Sequence, residues 1–453
     1  MSYPQFPSEF LFGTASSAYQ IEGGWNADGR GLSIWDVYTH ASPKRETGDV
    51  ACKTYFDYQT DIDLMSALGF NTYRFSISWP RVLPAGKGTV NPKGLDYYNR
   101  LVDALLAKNI RPFITLFHWD MPQALQEAYG GFAGRDTAGY FADYAEIVVR
   151  SLGDRVKDWI TLNEPWEHAA LGHLLAEHAP GKTNPWTYLR VAHHQLLGHG
   201  LAVERIRAAS PDSRVGITLS LTPILPKTQD PKDIDAARLG NQFFNTFFLD
   251  GIYKGHYPDE FWARTRLLHP RLGPDDMKLI SAPLDFLGVN YYSREVARHA
   301  WWMPFLGFWV DGQLSASEEK VVDGMPFTAS GREVYPQGLY DLLAWLKKEY
   351  NNPLLYITEN GAAFTDHLEG ERVHDEKRRA YFQDFFAAAE HAIADGVDLR
   401  GYFIWSLTDN FEWSLGYGTR FGLVYIDYST QKRYIKDSGF WVQEMIKNQT
   451  AGK

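Results

Sequence analysis

Phe286-Leu287-Gly288-Val289-Asn290-Tyr291 runs apolar through its first four residues, with no polar position between them. A strand with one wet face alternates apolar and polar residues. An unbroken run reads as a strand buried on both faces, the pattern of a parallel sheet covered by helices. Seven further short apolar runs recur along the chain: Phe10–Tyr19, Thr72–Trp79, Arg111–Trp119, Trp159–Asn163, Val215–Leu221, Leu354–Glu359 and Tyr402–Leu407. Helix-like stretches lie between them, among them Asp96–Lys108, Thr137–Leu152, His193–Ala208 and Glu376–Ala394. Asn91-Pro92 opens the first of these and Asn109 closes it, which is ordinary boundary chemistry. Eight strand-and-helix units predict an α/β fold, the (β/α)8 TIM barrel. A doubly wound sheet is the competing architecture, but no G-x-G-x-x-G follows the first run. No low-complexity tract, charge block or Pro/Gly/Ser linker interrupts the pattern, so the chain reads as a single domain over residues 1–453.

Composition narrows the function classes. The net charge of −10 argues against nucleic acid or an anionic membrane as partner, because both require a basic field. Most of the 15 Trp and 26 Tyr are expected in the core, and the high share also suits sugar binding, where an apolar ring packs on the C–H face. Cys52 is the single cysteine, so an intrachain disulfide is excluded. The N-terminal Met1-Ser2-Tyr3-Pro4 has neither a basic nor an apolar leader region, and no run reaches the ~18 apolar residues of a membrane span; the expected location is the cytoplasm. His168, His173 and His178 are spaced five apart and share no helix face, and there is no H-E-x-x-H, Cys cluster or P-loop, so neither metal nor cofactor is expected.

In such a barrel, chemistry sits where strands give way to βα-loops. The polar residues at or just beyond the run ends are Gln20, Arg74, His118, Asn163, Glu164, Asn290, Tyr292, Glu359 and Glu412. Glu164 ends the fourth run and Glu359 the seventh, which places two carboxylates across one ring. A strand-end Glu can equally cap a helix or pair with an Arg. Two facing each other match glycosidic-bond cleavage, which uses one carboxyl group to protonate the leaving oxygen and one to attack or stabilise the anomeric carbon.

These segments resemble glycoside hydrolase family 1, the β-glucosidase family. The likeness is carried by Thr161-Leu162-Asn163-Glu164-Pro165, Ile357-Thr358-Glu359-Asn360-Gly361, Phe10–Gly23, Phe75–Arg81, Leu116–Pro122 and Trp405–Trp413, in order along the chain. The resemblance implies a retaining β-glycosidase acting on terminal β-D-glucosyl residues, and on β-galactosyl or β-fucosyl ones, in small glycosides or short β-linked oligosaccharides. It implies Glu164 as general acid/base and Glu359 as nucleophile, with carboxyl groups about 5–5.5 Å apart. Arg74 and Tyr292 correspond to the groups supporting the nucleophile. Gln20, His118, Trp119, Asn163, Asn290, Tyr292, Trp405, Glu412, Trp413 and Phe421 correspond to substrate-binding residues, with Asn163 on the 2-hydroxyl and Trp405 beneath the ring. Glu412 would repel a 6-phosphate, which disfavours a 6-phospho-β-glycosidase.

Two stretches depart from the family pattern. Relatives commonly carry a tryptophan before Glu333-Val334-Tyr335-Pro336, where this chain has Gly331-Arg332. Trp301–Val310 is unusually apolar for a connection; it can wall the leaving-group site, form a subunit contact in a homo-oligomer, or fold onto the barrel. A catalytically dead sugar-binding barrel would lack one of the two glutamates. A transglycosidase would share every catalytic residue and differ only in what intercepts the intermediate.

Overall fold

The computed structural model describes residues 3–303, 305–311, 319–322 and 324–451. Eight parallel strands close into a barrel: β1 (Leu11–Ala15), β2 (Thr72–Ser76), β3 (Arg111–Phe117), β4 (Asp158–Asn163), β5 (Arg214–Ser220), β6 (Phe286–Asn290), β7 (Leu355–Asn360) and β8 (Leu399–Trp405). Each pairs with its neighbours in sequence, and β1 closes the ring against β8 with Leu11 opposite Gly401. The (β/α)8 expectation therefore stands. The outer helices include α1 (Thr54–Leu68), α2 (Pro92–Ala107), α3 (Asp136–Leu152), α4 (Pro165–His173), α5 (Pro185–Ala209), α6 (Pro336–Glu349), α7 (Glu376–Ala394) and α8 (Asp437–Ala451). Among the described residues no helix is long and apolar enough to cross a membrane.

Two of the predicted runs are trimmed or shifted. The first strand stops at Ala15, and Ala18–Ile21 forms one helical turn whose first N–H donates to Ser76 Oγ at 2.7 Å. Gln20 thus comes from a turn beyond the strand. The last strand begins at Leu399 and ends at Trp405, because Ser406 and Leu407 leave the barrel ladder. Their carbonyls accept instead from Leu423 and Val424, at 3.0 and 2.9 Å. Glu412 therefore lies on a loop well past β8.

The barrel interior is plugged by aromatic rings. Phe113 meets Phe286, Tyr356 and Phe403 at centroid separations of 5.8, 5.2 and 5.1 Å. Glycines make room for the plug. A Cβ on Gly216 would lie 2.4 Å from the Phe286 ring, and one on Gly288 would lie 2.3 Å from Thr218 Oγ1. This accounts for the glycine in the run quoted first. Below the plug, buried Asp158 accepts from Arg111 Nε at 2.6 Å and Arg214 Nε at 2.8 Å, joining three neighbouring strands.

The apolar Trp301–Val310 segment is folded onto the barrel at Leu306, Phe308 and Val310 and open at other positions; Pro304 lies outside the described residues. Glu295–His299 and Phe308–Val310 pair antiparallel, with Ile224–Pro226 alongside. Phe308 is buried against Phe243 and Phe244, whereas Trp301 is 79% exposed and Trp302, Phe305 and Trp309 also face outward.

Phe113→Ala would leave a cavity at the centre of the plug. The expected cost is about 3–5 kcal/mol, read as a lowered urea midpoint by circular dichroism. An unchanged midpoint would mean that the barrel floor does not depend on this ring.

Candidate active site

Arg74, on β2, is 1% exposed and stands at the centre of the barrel mouth. Its Nη1 donates to Glu359 Oε1 at 2.6 Å and to the Thr358 carbonyl at 3.1 Å. Nη2 donates to Asn163 Oδ1 at 2.5 Å and Nε to Thr115 Oγ1 at 3.1 Å. The other carboxylate oxygen of Glu359 accepts from the Tyr292 hydroxyl at 2.7 Å. Both oxygens of Glu359 thus receive a donor, one of them cationic, and such bonds favour the ionised carboxylate.

Glu164 sits differently. It follows β4 at φ 45°, in the left-handed region that non-glycine residues rarely occupy, and its N–H is anchored to the Thr218 carbonyl at 2.9 Å. Its side chain receives only amides: Asn290 Nδ2 at 2.7 Å and Asn163 Nδ2 at 3.2 Å. Burial holds its carboxyl well above the usual range, reinforced by the nearby charges of Glu167 and Glu359; the Asn290 hydrogen bond opposes this. The two carboxyl groups therefore face opposite electrostatic demands, which is how environment separates an acid from an anion in one site.

A second group of side chains lies beside this pair. Gln20 Nε2 donates to Glu412 Oε2 at 3.2 Å and to Asn410 Oδ1 at 3.0 Å. His118 Nε2 accepts from Asn163 Nδ2 at 3.1 Å, and burial followed by the Arg74 charge keeps its ring neutral. The His118 ring stacks between Trp405 and Trp413, each at 5.9 Å. Trp119, at φ 74°, packs on Trp413 at 4.7 Å and donates to the Asn163 carbonyl at 3.0 Å. Phe421 meets the edge of Tyr292 at 6.1 Å. The result is a polar cluster flanked by aromatic rings and holding two unlike carboxyl groups.

The sequence pattern of Glycosyl hydrolase family 1 matches residues 2–451. A 1,4-beta-D-glucan glucohydrolase of Thermotoga neapolitana is 46% identical over 449 residues, 98% of each chain. Beta-glucosidase A of Thermotoga maritima is 46% identical over 99% of each. The chain belongs to glycosyl hydrolase family 1. Among solved structures, the family 1 β-glucosidase from Thermotoga maritima in complex with isofagomine lactam superposes with a TM-score of 0.93 at 45% identity, covering 99% of this chain and 100% of that one. The AHE enzyme from Alicyclobacillus herbarius also gives 0.93, at 43% identity, with the same coverage.

Within this family 1 barrel, every residue named from the sequence lies at the mouth or directly supports it. Trp119 serves chiefly as backing for Trp413 and Asn163. Three polar residues escaped the sequence reading. Thr358 Oγ1 donates to Asn290 Oδ1 at 2.8 Å and so fixes which face of the amide meets Glu164. Asn410 orients Gln20. Glu167 lies in the first turn of α4, three residues after Glu164, which caps that helix, and its charge reaches Glu164.

Glu412 is pushed up to about 7 from an ordinary 4.5, mainly by burial. The folded state thus retains a proton that the unfolded chain releases near 4.5. Between those values the folded state binds more protons, so stability falls as pH rises across that window. Glu412→Gln removes this dependence. Its stability relative to the parent should improve between pH 4.5 and pH 8 by up to about 3 kcal/mol, checked by chemical denaturation at both pH values. A constant difference would contradict the protonated state of Glu412.

Proposed function

We propose that the protein is a β-glucosidase that releases terminal non-reducing β-D-glucosyl residues from small glycosides by double displacement. The observation that carries the reading is the unequal treatment of the two glutamates. Glu359 receives Arg74 and Tyr292, whereas Glu164 is buried near two other carboxyl groups and has no cation in ion-pair contact among the described residues. An anion that attacks and an acid that donates need these environments.

In the first step Glu359 forms a bond to the anomeric carbon while the bond to the leaving oxygen breaks and Glu164 gives that oxygen its proton. This yields a glucosyl ester on Glu359 and a free alcohol. In the second step Glu164, now ionised, takes a proton from water. The water oxygen bonds to the anomeric carbon, the ester breaks, and glucose departs with its β configuration retained. Asn163 is the donor to the 2-hydroxyl. Gln20, His118, Glu412 and Trp413 hold the remaining hydroxyls, Trp405 lies under the ring, and Asn290 positions Glu164. Support comes from the hydrogen bonds that link Gln20 to Glu412, and His118 through Asn163 to Glu164 and, by way of Arg74, to Glu359. The Thermotoga relatives named for β-glucan and β-glucoside hydrolysis agree with this substrate class.

The test uses p-nitrophenyl β-D-glucoside. Glu359→Ala and Glu164→Ala should each lose turnover by orders of magnitude. Azide should rescue Glu359→Ala with an α-glucosyl azide product and Glu164→Ala with a β-glucosyl azide, the two anomers being distinguished by proton NMR. Near-parental activity of Glu359→Ala, or azide products of the opposite anomeric pair, would overturn the assignment.

A further inference from the structure

The amide that donates to Glu164 is itself held from the far side. Asn290 Oδ1 can only accept, and the group donating to it is the Thr358 hydroxyl on β7, at 2.8 Å. With that proton committed, the Thr358 oxygen accepts from the Thr218 hydroxyl on β5, at 3.3 Å. All three side chains are fully buried. A line of donors therefore runs in one direction, from Thr218 through Thr358 and Asn290 to Glu164 Oε1.

This line crosses three strands, and a glycine makes the crossing possible. β6 lies between β5 and β7, with Gly288 in register with Thr218. A Cβ at Gly288 would stand 2.3 Å from Thr218 Oγ1 and 2.8 Å from Thr358 Oγ1, so any side chain there would force the two hydroxyls apart. Thr218 also meets Glu164 at the backbone, where its carbonyl accepts the Glu164 N–H at 2.9 Å. One residue of β5 thus holds the left-handed main chain of Glu164 directly and its carboxyl group through two intermediaries. Thr358 serves the other glutamate as well: it precedes Glu359, and its carbonyl accepts from Arg74 at 3.1 Å.

We infer that Thr218 and Thr358 are positioning residues for the acid/base glutamate, acting on it through Asn290. This deepens the β-glucosidase reading and rests on it. Glu164 must stay in one place while it changes charge, giving a proton to the leaving oxygen and later taking one from water. An amide gripped by its oxygen keeps an N–H on Glu164 in both steps. Hydrogen bonds in series polarise one another in a low-dielectric interior, so the two hydroxyls strengthen that N–H donation. Without the Thr358 hydroxyl, Asn290 Oδ1 would be buried with no donor, and relief of that cost draws the amide away from Glu164.

The experiment compares kcat/KM over a range of pH on phenyl and 2,4-dinitrophenyl β-D-glucosides for the parent, Thr358→Val, Thr358→Ser and Thr218→Val. Dinitrophenolate departs without a proton, whereas phenolate needs one from Glu164. Thr358→Val should lower the phenyl-to-dinitrophenyl ratio about tenfold and Thr218→Val about threefold, and Thr358→Ser should restore most of the loss. Burial raises the Glu164 carboxyl and the Asn290 bond opposes that rise, so both valine variants should move the alkaline limb of the phenyl glucoside profile to higher pH. The charges of Glu167, Glu359 and Arg332 that reach Glu164 are the same in every variant. Equal losses on the two substrates with an unmoved alkaline limb would overturn the positioning role, as would a Thr358→Ser variant as impaired as Thr358→Val. If Thr358→Val is not recovered folded, Thr218→Val, which keeps its backbone bond to Glu164, decides by the same two readings. Failure of the parent to hydrolyse either substrate would instead overturn the β-glucosidase reading.

Discussion

A guanidinium shut inside a barrel is tolerable only if every strand around it supplies an acceptor. Moving an unpaired charge out of water costs several kcal/mol, and removing one partner of a buried pair leaves that cost standing. Arg74 meets the condition by reaching from β2 to Thr115 on β3, Asn163 on β4, and Thr358 and Glu359 on β7. The same bonds that satisfy the arginine position the carboxylate proposed to attack and the amide proposed to read the 2-hydroxyl. Asn163 then passes the constraint on, accepting from Arg74 and Asn290 and donating to His118 and Glu164. Stability and function share these bonds, so the mouth has little freedom to relax.

The surrounding backbone is held under tension that fits this view. Trp119, Glu164 and Trp413 have φ values of 74°, 45° and 50°, in a region where a side chain costs about 1–3 kcal/mol. All three bring a large or charged side chain to the site, Trp119 and Glu164 from just beyond a strand and Trp413 from the longer loop after β8. Each is bound to its surroundings: Trp119 to the Asn163 carbonyl, Glu164 to Thr218, and Trp413 to Tyr19 by a parallel stack at 5.9 Å. Packing keeps the strain in place, and the strain keeps the groups aimed.

The barrel was legible because its strands are buried on both faces and therefore lack alternation. Strand starts and ends were less legible where a run continued past the ladder. Phe10–Tyr19 hides a helical turn, and Tyr402–Leu407 includes two residues whose carbonyls serve a different segment. Glu164, Glu359, Arg74 and Tyr292 were readable because strand ends converge on one mouth. Thr358 and Asn410 were not, since a residue that orients another side chain leaves no mark of its own in the pattern. Glu167 blends into the first turn of α4. Arg332 stood out as a departure, yet its stacking on Tyr292 depends on a loop closed by Thr328 and Glu333.

The aromatic plug of Phe113, Phe286, Tyr356 and Phe403 divides the barrel into two chambers. Above it lies the network anchored on Arg74; below it lies the Arg111–Asp158–Arg214 cluster, which touches none of those groups directly. The base is tied to the plug, since Arg214 donates to the Tyr356 hydroxyl at 3.2 Å, but it makes no direct bond to the Arg74 network, so a lineage can add stability at the base without rewriting the hydrogen bonds of the mouth.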